Sequence, residues 1–212
     1  MVRDLCEFLF EQPLPSENPA SAGPVRVRSH FKFLVRCITS ALRNEFGVQE
    51  FLNTGPSDRY LKRIMRVLEE FEEEEIVANC AKIIRLCLRD DAFYDRVILN
   101  NVHLGNFIFA NMNKHFNSQA VIVEAAAAVR NYTRKPTYLN LLSGDSLKVL
   151  INLIREPAHN NSKMLLLQSL KNIMKHPDHE RYLRQIGGND VMIMANAQSS
   201  LGPQTNLAGQ VG

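Results

Sequence analysis

The strongest constraint on this chain is a unit that recurs about every 43 residues. Ala41-Leu42-Arg43-Asn44 returns as Ala128-Val129-Arg130-Asn131, 87 residues further on. Seven residues after each Asn stands an aromatic followed by Leu-Asn: Phe51-Leu52-Asn53 and Tyr138-Leu139-Asn140. The next segment matches as well. Leu61-Lys62 with Ile64, Met65, Val67 and Leu68 corresponds to Leu147-Lys148 with Leu150, Ile151, Leu153 and Ile154. A middle copy runs through Cys80-Ala81-Lys82-Ile83-Ile84-Arg85-Leu86-Cys87 to Phe93-Tyr94 and Val97-Ile98. A last copy runs from Ser169-Leu170-Lys171-Asn172 to Tyr182-Leu183 and Ile186-Gly187-Gly188. A drift of a few residues between copies fits surface loops of unequal length. A unit this short cannot bury its own apolar faces, so copies must stack and bury them jointly.

The units are helical. Apolar residues recur with a 3.6-residue period from Val25 to about Met194, and no Asn-Gly or Asp-Gly hairpin turn interrupts them. Breaks fall at Gly55-Pro56-Ser57-Asp58, Arg89-Asp90-Asp91, Ser143-Gly144-Asp145-Ser146, Pro157, Pro177 and Gly187-Gly188. At the first of these, Ser57 or Asp58 is the expected N-cap. Three regions follow: residues 1–24, a short amphipathic helix and a Pro-rich linker; residues 25–194, the repeat domain; and residues 195–212, a small-residue, uncharged tail expected to be flexible.

Composition narrows the function. The 212 residues are 45 % hydrophobic and 22 % charged, with a formal net charge of +3. That is a globular balance, and too little charge to argue for nucleic acid. No stretch approaches the roughly 18 apolar residues of a membrane span, and Met1 to Phe10 lacks the pattern of a secretory signal, so a cytoplasmic or nuclear location is expected. Cys6, Cys37, Cys80 and Cys87 form no CxxC pair and read as buried small hydrophobes. His176 and His179 lack a third ligand nearby, so no metal or other cofactor is expected. No nucleophile elbow, phosphate-binding Gly loop or zinc-protease motif occurs, and neither an enzyme nor a small-molecule substrate is expected.

The order of apolar helix, loop, small-residue helix with Ala-Leu-x-Asn, short loop and Gly-Gly resembles the armadillo repeat. Leu147 to Gly188 carries the likeness best, and Ala125 to Asn131 next best. The resemblance covers about residues 30–194. It implies an all-α fold, a right-handed superhelical α-solenoid of about four armadillo-like repeats. It also implies a protein-binding scaffold or adaptor that holds a partner segment in a concave groove. Asn44, Asn131 and Asn172 would stand on that groove and hydrogen-bond the backbone of an extended peptide, although the middle copy offers Arg85 or Leu86 there. The alternative is that each Asn caps or bridges neighbouring helices. Arg43, Arg85, Arg130 and Lys171, beside the same position, would make the groove basic and favour an acidic peptide; local ion pairing on solvated faces is the competing account. The acidic stretch Glu69 to Glu75 reads as a solvated helix start, or else as a patch for a basic partner. A permanent structural subunit of a larger ciliary or cytoskeletal assembly is the alternative function, and an RNA-binding solenoid is disfavoured.

Overall fold

The computed structural model of the chain describes residues 2–12, 14, 24–53 and 58–193, and among them every regular element is a helix. In chain order these are α1 (Val2–Glu11), α2 (Pro24–Ala41), α3 (Glu45–Asn53), α4 (Arg59–Glu70), α5 (Glu74–Cys87), α6 (Asp91–Asn100), α7 (Leu104–Lys114), α8 (Gln119–Tyr132), α9 (Gly144–Arg155), α10 (Asn160–Ile173) and α11 (Pro177–Gln185). Short 3-10 turns at Pro136–Leu141 and Pro157–His159 take the places where proline cuts a helix short.

The helix starts are written in the sequence. Asp90 accepts a hydrogen bond from Ala92 N at 2.8 Å, Ser118 from Val121 N at 3.3 Å, and Ser143 from Ser146 N at 3.2 Å. Each such cap is worth about 1 kcal/mol. Asp58 behaves differently. It precedes α4 in the left-handed conformation, with φ 54°, and makes no side-chain cap. Its buried carboxylate instead takes Arg96 Nη2 at 3.0 Å, Asn100 Nδ2 at 3.1 Å and Asn101 Nδ2 at 3.4 Å, tying the start of α4 to α6. Ser57, the other candidate cap, lies outside the described residues, as do most of the Pro-rich segment and the tail at 195–212.

Packing follows the repeat. Helix α2 lies against α5, α5 against α8, and α8 against α10, so the longer helices form one row. Helices α4, α7 and α9 cover that row, packing on α5, α8 and α10 respectively, and α7 also meets α9. Helix α8 is wrapped on most sides, and Ala125, Ala126 and Ala128 are buried where neighbours approach closely. At Gly105 of α7 a methyl group would sit 2.7 Å from the Tyr132 ring and 2.8 Å from Leu142, so any side chain there would force these neighbours to shift. The core is continuous from end to end. Val2, Cys6 and Leu9, on one face of α1, and Leu14 beyond it join the same buried cluster as the helical repeats. Helix α1 and Leu14 therefore pack into the same core as the helices that follow.

A second regularity links successive units. The last carbonyls of a helix have no intrahelical partner and carry the negative end of its dipole. Here donors one unit downstream reach back to them. Arg96 donates to Leu52 O at the end of α3, Lys114 to Glu69 O near the end of α4 at 2.7 Å, and Asn131 to Arg85 O near the end of α5 at 3.1 Å. Arg89 likewise reaches Arg43 O, just past α2, at 3.2 Å. The separations are 44, 45, 46 and 46 residues, one repeat length each.

Candidate binding groove

The exposed faces of α5 and α8 leave a furrow between them. Its floor is small: Ala78, Ala120, Val123 and Ala127. At the end near the helix starts, about 560 Å³ of open space is bordered by Glu74, Asn79, Lys82, Gln119 and Glu124. At the other end, about 520 Å³ is bordered by Arg43, Lys82, Arg85, Arg89, Arg130, Asn131 and Leu165, again with Glu124. The two spaces adjoin at Lys82, Val123 and Glu124, one following the other along the pair.

The lower end is basic, with five cations against the single carboxylate of Glu124. Glu124 is occupied: Arg85 Nε lies 3.0 Å away and Lys82 Nζ 3.9 Å away. Arg43, Arg89 and Arg130 have no carboxylate within ion-pair distance among the described residues; Arg89 and Arg130 are exposed, and Arg130 contacts only the neutral Asn131 Oδ1, at 3.4 Å. Cations at helix ends also complement the helix dipoles, a contribution of about 0.3–1 kcal/mol each.

The expected site residues separate into three groups. Arg43, Arg85, Arg130 and Asn131 border the same space. Arg85, Arg130 and Lys171 each stand two residues before the last residue of α5, α8 and α10, a shared register. Lys171 and Asn172 lie further along the row on α10, Lys171 exposed and Asn172 half-buried, and neither borders this space. Asn44 falls out of register. Helix α2 ends at Ala41, so Asn44 sits in the turn and accepts the Gly47 N–H at 2.7 Å, capping α3. The residue of α5 matching Asn131 is Leu86, which cannot hydrogen-bond a ligand. Asn131 itself is only 8 % exposed, and its amide is engaged with Arg85 O. As placed here it bridges two helices.

Arg89, Lys82 and Glu124 are groove residues that the sequence reading missed. Arg89 was legible as the counterpart of Arg43, two residues past a helix end; Glu124 carried no signal. Elsewhere, Glu73 and Glu75 of the acidic stretch form ion pairs with α2, Glu73 with Lys32 at 3.4 Å and Glu75 with Lys32 and Arg36. The His176 and His179 rings lie 4.8 Å apart, tilted by 38°, and His179 Nε2 donates to Leu139 O at 2.5 Å. Among the described residues no group of three or more His, Cys, Asp or Glu side chains is arranged to hold a metal ion. Burial raises the thiols of Cys80 and Cys87 above their ordinary range and pushes Cys6 up to about 12, with Glu50 and Glu7 adding to the effect. These thiols stay protonated near neutrality and act as core packing. Among the described residues no helix is long and apolar enough to cross a membrane. No protein-family model and no curated protein matches the chain.

Proposed function

We propose that the chain is an armadillo-like α-solenoid that binds a protein segment in the furrow over its row of longer helices and catalyses no reaction. The observation that carries this reading is the basic end of the furrow. Three arginines from successive units, Arg43, Arg89 and Arg130, border one open space without a carboxylate partner among the described residues. The stacking order α2, α5, α8, α10 and the carbonyl caps spaced by one repeat length support the solenoid half of the proposal. The partner segment is acidic, because a surface with this surplus of cations attracts anionic chains and repels basic ones.

Fluorescence anisotropy of the full chain with extended acidic peptides, and with basic peptides of the same length, tests the reading. Acidic peptides bind and weaken as salt is raised, since the contacts are exposed and screened. Equal binding of both charge classes, or binding insensitive to salt, counts against it.

A further inference from the structure

Resting on the reading of this furrow as a binding surface, we infer that its basic end is a recognition pocket for a phosphorylated residue of the partner segment. The charge count points there. Helices α2, α5 and α8 all end at this space, and their C-termini carry about −0.5 each, roughly −1.5 together. The five cations less Glu124 exceed that, leaving a surplus of roughly two positive charges or more. One carboxylate of an acidic side chain neutralises about half of it. A phosphate monoester, at about −1.5 to −2, matches it.

Donor geometry agrees. Each guanidinium has five N–H groups. Arg89 spends one contact on Arg43 O, Arg130 one on Asn131 Oδ1, and Arg43 has no side-chain partner among the described residues. The remaining donors come from three successive units and border a space of about 520 Å³. A carboxylate has two oxygens and suits one arginine fork, whereas a phosphate offers three terminal oxygens to several forks at once. Asn131 holds the wall in place from behind, its amide fixed on Arg85 O at 3.1 Å.

The test uses the full chain and three degenerate 15-residue peptide libraries of one composition, differing only at the centre: phosphoserine, serine, or paired glutamates that supply two carboxylates. The phosphoserine library binds at least about ten-fold tighter than the other two, the factor carried by a single charge-assisted hydrogen bond. Inorganic phosphate competes with it. Arg89→Gln and Arg130→Gln each abolish the preference while melting within a few degrees of the unaltered protein. Arg181→Gln, on α11 and away from the furrow, retains it. If paired glutamates bind as well as phosphoserine, the pocket reads charge alone and the phosphate assignment falls, while the furrow stands as a binding surface. If serine binds as well as phosphoserine, the assignment falls in the same way. Binding of none of the three libraries overturns both.

Discussion

Removing the Asn131 amide separates a helix bridge from a free ligand clamp. Helix α5 ends at Cys87, so Arg85 O is one of its unpaired terminal carbonyls; the Arg89 N–H that would reach it bonds Leu86 O at 3.2 Å instead. Asn131 Nδ2 fills the vacancy at 3.1 Å from a side chain 8 % exposed. Truncation in Asn131→Ala deletes a net hydrogen bond and strands a part-buried carbonyl, which together cost about 1–3 kcal/mol. For a chain of this size that lowers the melting temperature by roughly 2–4 °C per kcal/mol. Asn172→Ala is the matched control. Asn172 occupies the same place on α10, is half-buried, and its side chain makes no hydrogen bond to a described residue, so its loss leaves the melting temperature within about 1–2 °C. Differential scanning calorimetry of both variants decides the matter. Equal melting temperatures for Asn131→Ala and the unaltered protein refute the capping account, and with it the claim that downstream donors bind successive units together.

Further outcomes follow from the packing. Gly105→Ala places a methyl group 2.7 Å from the Tyr132 ring and 2.8 Å from Leu142, and chemical denaturation shows a loss of about 1–3 kcal/mol from overpacking. Asp58→Ala leaves Arg96, Asn100 and Asn101 without their shared carboxylate; the loss is about 2–3 kcal/mol, under the range for a fully buried pair because the Arg96 side chain is 35 % exposed. The buried thiols make the protein alkali-sensitive: unfolded cysteines ionise near 9.0, whereas Cys6 in the folded chain holds its proton up to about 12. Above pH 9 the unfolded state binds fewer protons than the native one, so stability falls with rising pH by up to about 1.4 kcal/mol per pH unit for each such thiol, and is unaffected by them below about pH 8. In maleimide labelling at neutral pH, half-buried Cys37 reacts first, and Cys6, Cys80 and Cys87 react only on denaturation.

The helices were legible because their signals are local. Ser143 and Asp90 cap their own helices within three residues, and Pro157 and Pro177 stop or start helices by steric rules that hold anywhere. The row of helices was legible because a period of about 43 residues admits few other packings. Register was harder. Ala41-Leu42-Arg43-Asn44 and Ala128-Val129-Arg130-Asn131 look alike as letters, yet α2 stops at Ala41 while α8 continues to Tyr132, which displaces Asn44 into a turn. Asp58 does stand at the N-cap position of α4, as its neighbours in sequence suggested, but its side chain bonds partners 38 to 43 residues away. The carbonyl caps were legible only in part. Helix bridging was one of the two readings of Asn131, but its partner lies 46 residues back, and nothing in the local sequence marks Arg89 as a donor to the preceding repeat.

Partner capture bears most directly on the proposed binding furrow. The full chain, Arg130→Glu and Arg181→Gln are used as baits under equal salt, after circular dichroism has shown each to be folded, and the captured proteins are quantified by mass spectrometry. A furrow that binds an acidic segment loses its partners in Arg130→Glu and keeps them in Arg181→Gln. Retention of the same partners at the same yield in Arg130→Glu would contradict the account and move the binding surface off the α5–α8 furrow.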